Sequence, residues 1–182
     1  MTGRAAGHRV PAGAPDIRTQ RLALRRLEFC DAPFILELLN EAEFLRFIGD
    51  KGVRTLHGAR EYLLKGPIDS YARHGFGLYA ACLRGTPIGI CGLVRREGLA
   101  DPDVGFAFLP QYRLQGYAAE SAAAVLAHAR GVLRIRRIVA ITDPRNEGSI
   151  AVLKKIGMKF EGMIRLPEHD IDLKLFGSVP PA

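Results

Sequence analysis

The run from Asp103 to Glu120 (Asp-Val-Gly-Phe-Ala-Phe-Leu-Pro-Gln-Tyr-Arg-Leu-Gln-Gly-Tyr-Ala-Ala-Glu) holds the residues best suited to chemistry. An apolar strand stops at Pro110, crosses a short basic turn, and enters an alanine-rich helix through Arg113, Leu114, Gln115, Gly116, Tyr117 and Ala118. The first turn of a helix leaves its N–H groups without intrahelical partners, and the helix dipole adds positive potential there. An anion is the natural occupant. Gly116 lets the main chain come close to that anion, and Ala118 has too little side chain to obstruct it. A pyrophosphate fits such a cradle. The Walker-type loop is absent, since no Lys-Ser or Lys-Thr follows the glycine, and the dinucleotide fingerprint lacks its further glycines.

A second constellation follows one strand later, Asn146-Glu147-Gly148-Ser149 through Lys155-Ile156-Gly157-Met158. Asn146 caps a helix, Ser149 sits in its first turn, and Gly157 ends it. If this helix starts at the same sheet edge as the cradle, its polar groups face a ligand held between two parallel strands. Tyr112 and Tyr117 flank the cradle and suit packing against that ligand. Asp101 and Asp103 precede the strand, where a water-linked base could stand; solvated turn acids are the plainer reading. His74, beside Gly75-Phe76-Gly77, is of a residue type used for acid–base work, although a lone loop histidine is more often structural.

The elements that must position these residues follow from periodicity. Arg18 to Leu27 alternates as a strand, and Asp31 caps an apolar-striped helix reaching Phe47. Thr55 opens a helix to about Arg73. Gly75 to Leu83 and Ile88 to Val94 form a hairpin, Asp103 to Leu109 is the next strand, and the cradle helix runs from Gln115 to about Leu133. Ile135 to Thr142 reads as a buried strand, Asn146 to Gly157 as a helix, and Phe160 to Ile164 and Ile171 to Phe176 as strands. The order β-α-α-β-β-β-α-β-α-β-β predicts one mixed α/β sheet with helices on its faces.

The 182 residues suit one domain, expected over 16–177, with tails at 1–15 and 178–182; the first fifteen, rich in Gly, Ala and Pro, are expected to be flexible. They lack the hydrophobic stretch of a secretory signal, and no run is long enough to cross a membrane, so a cytoplasmic protein is expected. Cys30, Cys82 and Cys91 have no metal-type spacing, so no metal is expected and all three read as buried free thiols. The net charge of +7 suits a polyanionic ligand. It also admits a nucleic-acid module using Arg134, Arg136 and Arg137, but no aromatic platform accompanies those arginines.

The paired motifs resemble the GCN5-related N-acetyltransferase (GNAT) superfamily, in the branch of the Rim enzymes that acetylate ribosomal protein N-termini. Arg113-x-x-Gly116-x-Ala118 is similar to the superfamily's pyrophosphate signature. Asn146-x-x-Ser149 through Lys155-x-Gly157-Met158 is similar to the branch's second signature, with Met158 where Phe is usual, and Thr19 to Arg25 is similar to its first strand. The resemblance covers roughly residues 17 to 176. It implies a mostly antiparallel, mixed seven-stranded sheet, splayed between its fourth and fifth strands to admit acetyl-CoA. The main chain of Phe108 and Leu109 would bond the pantetheine arm, Arg113, Leu114, Gln115, Gly116, Tyr117 and Ala118 would hold the pyrophosphate, and Asn146 and Ser149 would contact the cofactor from the other side.

The implied reaction is direct transfer of an acetyl group to a primary amine, on a protein N-terminus or a small molecule. It needs a neutral amine, a donor for the oxyanion and a proton for the leaving sulfur. At pH 7, neutralising an α-amino group costs roughly 1.4 kcal/mol and a lysine roughly 4.6 kcal/mol. Many superfamily members carry a proton-donating Tyr where this chain has Leu153. In the Rim branch Ser149 corresponds to the assigned donor, and Glu168 matches the proposed base in spacing; a helix cap and a solvated loop acid are their plainer readings. The vacancy at Leu153 keeps a CoA-binding sensor of the same fold as an alternative, and a homodimer is a further expectation.

Overall fold

The computed structural model describes residues 16–167 and 169–178. The expected tail at 1–15, residues 179–182 and Glu168 lie outside the described residues; Ser178, expected to open the C-terminal tail, instead closes the last strand. The strand expected over 18–27 is two strands, β1 (Ile17–Arg18) and β2 (Leu22–Arg26). Thr19 folds the chain between them: its N–H donates to Leu22 O at 2.9 Å, and its hydroxyl oxygen accepts the Leu22 N–H at 2.8 Å. This turn brings Arg21 toward the cradle.

The helix expected from Asp31 to Phe47 is also divided. A 3-10 turn, Phe29–Asp31, leads into α1 (Ala32–Leu39), and α2 (Ala42–Phe47) follows after a break at Asn40 and Glu41. Asp31 does not cap α1; its carboxylate accepts the Glu28 N–H at 2.8 Å and is paired with Arg25 at 2.7 Å. Glu41, extended at ψ 141°, caps α2 by accepting the Glu43 and Phe44 N–H groups. Downstream, Thr55 caps α3 (Leu56–Leu63), a π-helical turn (Leu64–Ile68) carries Pro67, and α4 (Asp69–His74) ends at Gly75 with φ 74°. Proline has no N–H to give, which accounts for the wider turn inside an otherwise continuous helix.

The remaining elements are β3 (Leu78–Leu83), β4 (Thr86–Val94), β5 (Asp103–Phe108), α5 (Tyr117–Gly131), β6 (Val139–Thr142), α6 (Glu147–Lys155), β7 (Met158–Ile164) and β8 (Leu173–Ser178). Strand β6 begins later than the apolar run suggests, because Ile135 N–H still bonds Ala129 O at the end of α5. The eight strands lie in the order β1-β2-β3-β4-β5-β6-β8-β7, and every neighbouring pair is antiparallel except β5 with β6. The two-residue β1 accounts for the count of eight against the expected seven, and the expected fourth and fifth strands are β5 and β6.

Each sheet face buries its own core. One joins Val104, Phe108, Tyr117, Ala122, Ile138, Leu153 and Phe176 under α5 and α6. The other joins Leu27, Ile35, Leu38, Leu63, Ala80 and Ile90 under α1 and α3. Cys82 and Cys91 are buried as expected, but Cys30 is exposed, because it lies in the 3-10 turn rather than on the apolar face of the helix that follows.

Strand β4 must also pass close to the backbone of β3. A Cβ at Gly92 would run into the carbonyl oxygen of Gly77 and stand 2.7 Å from Leu78 Cα, with no flexible side chain to yield. Gly92→Ala is expected to destabilise the protein by about 2–3 kcal/mol, as overpacking against backbone does, in urea unfolding monitored by circular dichroism.

Candidate active site: an unzipped strand pair and an anion cradle

A parallel pair normally continues its ladder for as long as both strands last. Between β5 and β6 the register holds one pairing, Asp103 with Val139, where Val139 N–H bonds Pro102 O at 2.9 Å. The next amide of β6, Ile141 N–H, would bond the Val104 carbonyl in a regular ladder. It donates instead to the Asp103 carboxylate, Oδ1, at 3.1 Å. The other oxygen of Asp103 accepts from Arg96 Nε at 2.5 Å. Asp103 is 1% exposed, and burial pushes its carboxyl pKa up while Arg96 opposes that shift. Beyond this acid the strands part.

The parting leaves one row of β5 backbone groups facing a gap. Leu109 N–H bonds Ile88 O at 3.0 Å, on the β4 side, and backbone direction alternates along a strand. The N–H and C=O groups of Val104, Phe106 and Phe108 therefore point toward β6. This corrects the sequence expectation for Leu109, whose amide is already bonded in the sheet. Phe108 remains on the gap side, although its carbonyl accepts Arg113 Nε at 2.9 Å, so its N–H is what the gap offers.

The cradle lies at the open end. A 3-10 turn at Pro110–Tyr112 leads to Leu114 with φ 59° and Gly116 with φ 84°, and the Leu114 side chain is fully exposed at 103%. A leucine in left-handed backbone geometry with no packing to hold it there is strained, and such strain gathers at ligand sites. The first intrahelical bond of α5 runs from Glu120 N–H to Gly116 O at 3.0 Å, which leaves the N–H groups of Tyr117, Ala118 and Ala119 without intrahelical partners.

Two arginines brace this loop, and only one was anticipated. Arg113, expected to meet the anion, has its guanidinium paired with Glu41 and, at 2.7 Å, with Glu43, in addition to the Phe108 carbonyl. Burial alone would raise the Glu41 pKa, but hydrogen bonds from Arg113 and from the Phe44 and Glu43 amides outweigh it and hold it below its ordinary value. Arg113 is thus a brace between α2 and β5, and its side chain is not free for a phosphate.

Arg21, missed by the sequence reading, takes the position beside the cradle. It donates through Nε to Glu120 at 2.6 Å and through Nη1 to Gln115 O at 2.9 Å, and it lies 4.3 Å over the Tyr117 ring. Holding the Gln115 carbonyl on one side turns the Gly116 N–H of the same trans peptide to the other. A Cβ at Gly116 would stand 3.2 Å from Arg21 Nη2, so glycine also fits the space Arg21 leaves. The signal in the sequence was Glu120 itself, an acid in the first turn of the expected cradle helix, where it would compete with an anion unless a cation paired with it. Tyr117, expected against the ligand, has its ring in the core beneath Arg21 and offers only its main chain.

Across the gap, Asn146 Oδ1 accepts the Ser149 N–H at 3.0 Å, the anticipated cap of α6. Ser149 is half-buried, and its hydroxyl makes no hydrogen bond among the described residues. Leu153 is completely buried, so the position where the resemblance leads one to expect a Tyr is here part of the core. His74 is exposed and stacks on Phe76 at 5.6 Å between ring centres. Asp101 is paired with Arg137 at 2.9 Å. No group of three or more His, Cys, Asp or Glu suited to a metal occurs among the described residues.

The profile of the acetyltransferase (GNAT) domain matches residues 21–159. The uncharacterized N-acetyltransferase YnaD of Bacillus subtilis is 30% identical over 151 residues, covering 82% of this chain and 85% of YnaD. An acetyltransferase from Agrobacterium tumefaciens superposes with a TM-score of 0.77 at 22% identity, over 97% of this chain and 99% of that one. Mycobacterium smegmatis RimJ, solved in complex with CoA-disulfide, superposes with a TM-score of 0.76 at 21% identity, over 90% and 87%. The two structural likenesses establish the fold. No helix among the described residues is long and apolar enough to cross a membrane.

The Arg21–Glu120 brace has a pH signature. Burial acts to raise the Glu120 pKa, but hydrogen bonds from Thr19 and Arg21 outweigh it and hold it below the ordinary 4.5. A depressed carboxyl stabilises the fold above its unfolded pKa and loses that contribution as pH falls through its folded pKa. Glu120→Gln is therefore expected to cost about 1–2 kcal/mol at pH 7, allowing for the half-exposed Arg21. In urea titrations from pH 7 to pH 3, the difference from wild type should shrink below pH 4.5 and vanish once Glu120 is protonated.

Proposed function

The chain belongs to the GNAT acetyltransferase family, and from that premise we propose that it transfers the acetyl group of acetyl-CoA directly to a primary amine, with no covalent enzyme intermediate. The observation that carries this reading is the single rung between β5 and β6, which leaves main-chain donors facing a gap whose mouth is an anion cradle. The residues present fit the group. The amides of Phe106 and Phe108 suit a pantetheine arm lying along β5, and the N–H groups of Gly116, Tyr117, Ala118 and Ala119 suit a diphosphate. CoA bound to the RimJ structure supports the same use of the shared fold.

As substrate, acetyl-CoA supplies a thioester carbon that forms a bond to the amine nitrogen as its carbon–sulfur bond breaks. The protein's own part is positioning and proton handling. Arg113 and Arg21 hold the loop from both sides, so the cradle's N–H groups are oriented before the ligand arrives. The Ser149 hydroxyl, free of any bond among the described residues and set in the first turn of α6, serves as donor to the departing sulfur. Glu168 is assigned as the base that takes the proton lost by the amine. The low cost of neutralising an α-amino group favours a protein N-terminus or a small amine of similar pKa over lysine.

Release of free thiol from acetyl-CoA should be measurable with at least one member of a panel of N-terminal peptides and small amines. Ser149→Ala should lower kcat about 100-fold while leaving CoA affinity, measured by calorimetry, within about twofold. Tight CoA binding with no turnover across the panel would make the protein a sensor rather than an enzyme. An unchanged rate in Ser149→Ala would remove Ser149 from the mechanism.

A further inference from the structure

We propose that the donor site takes acyl groups longer than acetyl, namely propionyl and butyryl, and that Gly105 is the residue that admits them. This inference rests on the acetyl-transfer reading above and extends it from acetyl-CoA to its longer homologues.

A glycine inside a strand weakens it, so each one needs a reason. At Gly89 a Cβ would run into the Phe108 ring, at Gly92 into the Gly77 carbonyl, and at Gly177 into the Glu161 carboxylate. Gly105 has no such neighbour. A Cβ there would stand 3.9 Å from Leu78 Cδ2 and 3.9 Å from Val94 Cγ2, an ordinary contact, with nothing else among the described residues within 4 Å. Its φ lies outside the left-handed region, and it pairs in regular register with Gly92 rather than standing in a bulge. Neither packing nor backbone geometry explains the missing side chain. The remaining reason for a strand glycine is the close approach of a ligand.

The position of Gly105 says which part of the ligand approaches. The gap runs from the cradle toward Asp103 and ends where the Ile141 N–H meets the Asp103 carboxylate. A cofactor arm laid along β5 from Phe108 past Phe106 brings its thioester to the level of Gly105. There the α5 side is closed, because Val104, Ile138 and Ala140 belong to the core and are at most 2% exposed. Side chains alternate along a strand, so the bare side of Gly105 and the side chain of Ile141 turn to the opposite face. Both residues are only half-buried, although β5 and β6 lie inside an eight-stranded sheet. An acyl chain longer than acetyl leaves the gap on that face, across Gly105, through the volume a Cβ would fill. Leu78 and Val94 line that volume, which suits a hydrocarbon chain.

The transfer itself balances in the same way for every chain length. The acyl carbon bonds to the amine nitrogen, and the carbon–sulfur bond breaks with its electron pair left on sulfur. The nitrogen loses one proton, and the thiolate gains one.

The test measures free thiol release from acetyl-, propionyl- and butyryl-CoA with the panel of N-terminal peptides and small amines. The wild-type protein should use all three donors with kcat/KM values within about tenfold of one another. Gly105→Ala puts a methyl group in the path of the acyl chain without striking a neighbour. It should lower kcat/KM for butyryl-CoA about tenfold or more relative to acetyl-CoA. Its affinity for free CoA, which carries no acyl group, should stay within about twofold by calorimetry. A wild-type preference for acetyl-CoA beyond the tenfold range would overturn the inference and leave acetyl transfer standing. So would a Gly105→Ala variant that slows all three donors equally, or one that loses CoA binding. Absence of turnover with all three donors across the amine panel would overturn both.

Discussion

One hydrogen bond sets the architecture of the site: the Ile141 amide gives its proton to the carboxylate of Asp103 rather than to the next carbonyl along β5. A side-chain acceptor reaches farther than a backbone carbonyl, so the bond that should close the ladder ends it. The acid can hold that place because Arg96 neutralises it from the loop that follows β4, and a buried carboxylate without such a partner would be costly. Both strands keep their outer partners, β4 and β8, so the sheet stays whole around the opening. The gap is part of the fold rather than a defect in it.

Everything around the opening serves to keep it poised. Glu41 ends α1 and α2 as separate helices, and by capping α2 it becomes available to hold Arg113 against the end of β5. The short turn after β1 delivers Arg21 to the other side of the loop, where it neutralises Glu120 and orients the Gln115–Gly116 peptide. Both arginines bond groups of the protein itself, which leaves the first N–H groups of α5 open. A loop held in strained left-handed geometry at Leu114 needs such bracing to persist.

The fold was legible because its strands and helices carry strong periods, and because Gly116, Asn146 and Gly157 stand where caps and turns require them. The cap of α6 by Asn146 follows from residue type alone. What could not be read were contacts between distant segments. Nothing local says that Arg113 meets Glu41, 72 positions away, or that Arg21 meets Glu120, 99 positions away. The wrong side was assigned to Leu109 because strand direction fixes faces only once the register with β4 is known. Asp103 read as a turn acid, since its role depends on β6, which lies a helix away. The breaks at Thr19 and Asn40 were hidden by apolar patterns that run through them.

The most direct measurement is amide hydrogen exchange, resolved by residue, on the protein with and without CoA. The gap-facing amides of Phe106 and Phe108 and the cradle amides of Gly116 and Ala118 should slow on addition of CoA. Leu109, already bonded to Ile88, should not change. If CoA binds and protection instead appears away from β5 and the start of α5, or if no amide on β5 responds, then the parted strands do not receive the ligand and the account fails.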